Sequence, residues 1–93
     1  MILMLPVKRK WFERIKAGKK LEEYRLDNPY WQNRLIDKEF DKIVVTLGYP
    51  KASNKERRIE FPWNGYIMKD VISEEWGGIS MRVFAIKLDM FKE

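Results

Sequence analysis

The 93-residue chain has no cysteine and no histidine. That excludes disulfide staples, the usual sulfur and imidazole zinc ligands, and any nucleophilic apparatus built on Cys–His or Ser–His–Asp. Hydroxyl groups are sparse: Thr46, Ser53, Ser73 and Ser80, with phenols at Tyr24, Tyr30, Tyr49 and Tyr66. Long apolar runs are missing too. The opening MILMLPV is broken by Pro6, short of the roughly 7–15 residues of a signal-peptide core, and no stretch approaches the about 20 residues of a membrane span. The expectation is a cytoplasmic protein without membrane, cofactor or metal, whose fold rests on packing alone.

The length suits one core, so residues 1–93 are read as a single domain. Lys and Arg outnumber Asp and Glu by 19 to 14, a net charge of +5 that favours polyanionic partners without requiring them. Four Trp in so short a chain suit either a tight core or surfaces on which bases stack.

The pattern of apolar residues gives the element order. MILMLPV reads as a short buried strand. From Lys8, the spacing of Trp11, Phe12 and Ile15 marks an amphipathic helix that Gly18 stops with a left-handed cap. Leu21 to Leu26 reads as a strand with Leu21, Glu23 and Arg25 on one face. In DNPYWQNRL, Asn28 caps a second helix that begins at Pro29 and spaces Trp31 and Leu35 at i, i+4. DKIVVTLGYP is the clearest strand, and PKASNKERR is a loop with Lys51, Lys55, Arg57 and Arg58. RIEFPW, Asn64-Gly65 and YIMKDV predict a two-stranded hairpin. SEEWGG predicts a capped helical turn, and RVFAIKLDMF a closing strand. The fold class expected is α+β: a small mixed or antiparallel curved sheet or β-barrel with two short helices at its ends.

One stretch concentrates charge where folded structure is expected. In AGKKLEEYRL, Glu23 and Arg25 lie two apart on a strand, so the carboxylate can orient the guanidinium and leave donors for a phosphate or a base edge. Lys20, just past the helix cap, leans over the same cleft as a second cation. The plainer alternative is a solvated ion pair worth little, against which Leu21 on the same face predicts partial burial.

Gly18, Lys20, Glu23 and Arg25 in GKKLEEYR resemble the ASCH domain, a branch of the PUA-like barrel superfamily, whose signature is G-x-K-x-x-E-x-R between the first helix and the next strand. The resemblance covers the whole chain in organisation and residues 8 to 25 in residue type. It implies a β-barrel that binds RNA or a nucleotide-like molecule in a cleft between helix and barrel, lined by Lys20, Glu23 and Arg25, with Gly18 structural. Some ASCH-like proteins are hydrolases, either amidohydrolases of acylated cytidine or ribonucleases; if this chain is one, Lys20 and Glu23 are its acid–base residues. In the amidohydrolase branch a Thr nucleophile stands where this chain has Glu23, and neither Glu22 nor Tyr24 replaces it.

Further residues join the candidate ligand or RNA site. Tyr49, Trp63 and Tyr66 are placed near strand ends, where rings can stack on bases, although a Trp in so small a barrel also serves as core. Lys8, with Arg9 and Lys10, opens the first helix, where the dipole disfavours cations, and so points to an external anion. A third reading, a protein-interaction module, requires an exposed aromatic patch such as Trp63 with Tyr66.

Overall fold

In the computed structural model, which describes residues 1–91, β1 (Ile2–Val7) alternates Leu3, Leu5 and Val7 inward with Ile2 and Met4 outward. It pairs in parallel with β3 (Lys42–Leu47), and the intervening chain supplies α1 (Arg9–Lys16), β2 (Glu22–Leu26) and α2 (Pro29–Leu35). Pro6 is tolerated because β1 is an edge strand, where a missing N–H disrupts no central ladder. β4 (Arg58–Pro62) adds antiparallel to the other side of β3. In the second sheet, β6 (Ser80–Lys87) lies between β2 and β5 (Tyr66–Ile72), antiparallel to both. The two central strands, β3 and β6, carry the continuous buried runs Ile43–Thr46 and Val83–Ile86 because both of their faces are covered.

The α+β class and the order of elements match expectation, with four strands following the second helix. The described residues form two three-stranded sheets and no closed barrel. The sheets share one core: Leu3, Leu5, Ile43, Val45 and Phe61 from the first meet Phe84 and Ile86 from the second. Phe12 and Ile15 of α1 and Leu35 of α2 complete it.

The hairpin expected around Asn64-Gly65 does not form: β4 belongs to one sheet and β5 to the other. Trp63 is the reason the chain turns away. It is buried in the core and packs edge-on against Phe40, with ring centroids 4.8 Å apart, which draws the backbone across the gap between the sheets. Gly65, at φ +79°, makes the corner, and its carbonyl accepts from Lys87 N at 3.1 Å. The polar loop after β3 contains one 3₁₀ turn, Lys55–Arg57.

Both predicted caps are present. Asn28 Oδ1 accepts from Trp31 N at 3.0 Å at the start of α2. Ser73 Oγ accepts from Glu75 N at 3.2 Å ahead of the 3₁₀ turn Glu74–Trp76, which Gly77 ends in the left-handed conformation.

Candidate functional site

Lys20 reaches its place because α1 ends abruptly. Gly18 adopts φ +74°, and the amides of Lys19 and Lys20 both donate to Arg14 O, at 2.9 and 3.1 Å. This folds the chain back along the helix. The Lys20 side chain, 13% exposed, donates from Nζ to Glu22 O at 2.6 Å. Nζ also stands 3.5 Å from Glu23 Oε1, 4.3 Å from the Tyr24 ring centre and 5.3 Å from that of Trp11. Burial pulls its pKa below the usual lysine value and outweighs the opposing pull of Glu23 and Glu22.

Glu23 and Arg25 share a face of β2, as their spacing requires, and that face is turned inward: Glu23 is only 7% exposed. Its Oε2 accepts from Arg25 Nη2 at 2.8 Å, and the same Nη2 donates to Pro6 O at 2.9 Å. Arg25 therefore ties β2 in one sheet to β1 in the other. Its guanidinium lies 5.0 Å from the centre of the Trp31 ring, within cation–π range. Arg25 Nε is buried and has no hydrogen-bond partner among the described residues. Two cations against one carboxylate leave the group with a surplus positive charge.

Leu21 does not share this burial. It precedes the strand, which starts at Glu22, and is 66% exposed, so the burial of Glu23 and Arg25 comes from Lys20, Pro6 and Trp31 packed over that face and not from an apolar neighbour on the strand.

A cavity of about 1050 Å³ opens between α1, the start of β2 and the end of β4. Ile15, Phe61 and Leu88 floor it, Trp11, Tyr24 and Phe91 add rings, and Arg14, Lys16, Lys19 and Lys87 stand around it with Glu22 and Asp89. Of the three motif side chains only Lys20 lines this cavity. The motif therefore divides its labour: Lys20 faces the open space, while Glu23 and Arg25 hold it from behind.

The other sequence candidates lie elsewhere. Lys8 and Tyr49 meet at a second recess of about 500 Å³, together with Arg9 and Arg57. Trp63 is a core residue and offers no face for a base to stack on; Tyr66 is partly buried against Phe84, at 5.0 Å. Trp63 and Tyr66 therefore do not form an exposed aromatic patch.

The cations at the start of α1 already meet carboxylates from the chain itself, through pairs whose side chains are exposed. Glu75 Oε1 accepts from Trp11 Nε1 at 2.8 Å and lies 3.5 Å from Lys8 Nζ, and Glu74 lies 3.9 Å from Lys10 Nζ. The Trp11 hydrogen bond, assisted by Lys8 and Lys10, holds the Glu75 carboxyl below its ordinary value of 4.5. A carboxylate depressed in the folded state stabilises above its unfolded value and loses that contribution as pH falls through the folded one. Glu75→Gln is therefore expected to lower the melting temperature at pH 7, and the gap from the parent protein should close as pH drops below about 4.5. Thermal unfolding from pH 7 to pH 3 checks this; a gap independent of pH contradicts it.

The sequence reading passed over Trp11, Tyr24 and Trp31 as site residues. Their signal was present but ambiguous: each sits one or two positions from a motif charge or at a helix position that also serves packing. Tyr24 alternates with Glu23 and points to the other face of β2, where its hydroxyl donates to Glu22 Oε1 at 3.2 Å and burial raises its pKa. Lys69 of β5 pairs with the same Glu22.

No family model, curated protein or solved structure matches the chain. Among the described residues there is no group of three acidic, His or Cys side chains placed to hold a metal ion, and no helix is long and apolar enough to cross a membrane.

Proposed function

We propose that the chain is an ASCH-type member of the PUA-like barrels, acting in the cytoplasm, and that it binds RNA or a nucleotide-like ligand in the cavity beside Lys20. The observation that carries this reading is a buried lysine on the wall of a large cavity, flanked by Trp11 and Tyr24. Pockets of this kind combine an apolar lining with a few placed polar groups. A planar ring bearing carbonyl or phosphate oxygens matches both parts: the ring replaces water against the apolar wall, and an oxygen accepts from Lys20. The basic side chains around the opening favour a negatively charged ligand. Glu23 and Arg25 act as positioning residues. Glu23 fixes Lys20, and Arg25 fixes Glu23 while bridging the sheets.

Lys20→Met tests this and separates binding from stability. It keeps the packing of the stem and removes a charge whose burial outweighs its attractions, so the fold should be as stable as before or more so. Affinity for a nucleoside monophosphate, read by calorimetry, should fall about tenfold or more, the loss of a charge-assisted hydrogen bond of about 1.5–3 kcal/mol. An unchanged affinity in a folded variant removes the assignment.

A second reading, hydrolysis of modified nucleosides or RNA, draws on the same lowered lysine pKa, which moves Lys20 toward the range of a general base 3.5 Å from a carboxylate. Incubation of the purified protein with acylcytidines and with RNA, chelator present, decides it. Turnover that Lys20→Met abolishes supports catalysis, and no turnover leaves binding alone.

A further inference from the structure

The loop between β3 and β4 gathers four basic side chains, Lys51, Lys55, Arg57 and Arg58, within eight residues. Lys8, Arg9, Lys42, Lys69 and Arg82 each have a carboxylate partner. Lys51, Lys55 and Arg57 are exposed, and they and Arg58 have no ion-pair or hydrogen-bond partner from their side chains among the described residues; Glu56 is the one acid between them.

The fold brings this loop to the start of α1. Arg57 lines the 500 Å³ recess opposite Lys8 and Arg9, and no acidic residue lines it. Both remaining pairs there, Lys8 with Glu75 at 3.5 Å and Arg9 with Glu13 at 3.6 Å, involve exposed side chains, and a phosphate can exchange with such carboxylates at little cost. Tyr49 stands on the same recess, 93% exposed, between Gly48 and Pro50. A ring so exposed contributes nothing to the core.

We propose that this recess and its loop form a docking surface for single-stranded RNA, separate from the Lys20 cavity, with phosphates on Lys55, Arg57 and Lys8 and one unpaired base stacked on Tyr49. The charge pattern fits a polyanion. The aromatic ring selects a single strand, because a base in a duplex has no free face to offer and an acidic peptide has no ring that every position supplies. The surface extends the nucleic-acid reading to a second face and does not depend on what occupies the Lys20 cavity.

Fluorescence anisotropy with a labelled oligouridylate of about ten nucleotides, within the span of one single-strand site, measures it across a salt series. The paired change Lys55→Gln with Arg57→Gln should weaken binding at least about tenfold and flatten the log–log salt slope by about 1.4, two phosphate contacts' worth for a single strand. Tyr49→Ala should weaken binding about fivefold or more with the slope unchanged, while Tyr49→Phe binds as the parent does, because stacking uses the ring and not the hydroxyl. Lys38→Gln, on an exposed lysine remote in sequence from the recess, serves as the charge control. Circular dichroism confirms folding of each variant.

Loss of affinity from the loop changes but not from Tyr49→Ala, or equal affinity for a duplex of the same charge, overturns the single-strand assignment. Full affinity in both sets of variants overturns the surface. Should Lys20→Met abolish oligonucleotide binding while the loop variants retain it, RNA belongs in the cavity; should Lys20→Met lose only the mononucleotide, the two sites are independent as proposed.

Discussion

Replacing Glu23 by Ala is expected to cost about 3–5 kcal/mol of folding stability, the usual consequence of removing one partner from a buried ion pair. Among the described residues, Glu23 is the only carboxylate that both Lys20 and Arg25 meet directly, at 3.5 and 2.8 Å, and all three side chains are at least four-fifths buried. Without it two cations face each other in a poorly solvated space, and Arg25 keeps Pro6 O as its sole hydrogen-bond acceptor among the described residues. Urea unfolding gives the loss directly. Adding Lys20→Met to Glu23→Ala should restore part of it, because the more compromised cation has been removed. If the double variant is as unstable as the sum of the two single changes, Lys20 and Glu23 are not coupled and the three side chains do not act as one unit.

Phe12→Ala should have an effect of similar size, about 3–5 kcal/mol, through the cavity left by a fully buried ring. Phe12 is 2% exposed and, with Ile15, anchors α1 on the core. The helix spans only eight residues, too short to persist without that anchor. Its loosening should carry Trp11 away from the cavity beside Lys20 and from Glu75. A chemical-denaturation midpoint measures the stability loss. Ligand affinity measured below the melting point should fall as well, although Phe12 itself does not line the cavity. A loss of stability with affinity intact would show that the cavity does not need α1 in place.

Much of the fold was legible along the chain because the governing signals are local. Gly18 after Lys16 stops a helix whatever surrounds it, since few side chains tolerate its backbone angle. Asn28-Pro29 starts one by satisfying a free amide and presetting φ. The run IVVTL is a strand because β-branched residues suit a pleated, covered surface. The pairing of Glu23 with Arg25 follows from the two-residue period of a strand.

What failed to read from the sequence were the choices that need a partner from far along the chain. Asn64-Gly65 carries the residues of a hairpin turn, yet the buried ring of Trp63 makes it a corner between sheets. Trp63 itself is indistinguishable in sequence from a ring that stacks on a ligand. The basic start of α1 looked unsatisfied until Glu74 and Glu75, more than sixty residues away, were found beside it.

The sequence by itself determined the elements, their order, and the presence of a Lys–Glu–Arg group behind a glycine cap, because helix stops, caps and strand alternation are properties of neighbours. Only the tertiary structure decided that this group splits, with Lys20 on a cavity and Arg25 stitching β2 to β1. That outcome depends on where Pro6, Trp31 and β6 come to rest, and burial, which sets the strength of every charge in the group, exists only once the sheets have closed over it.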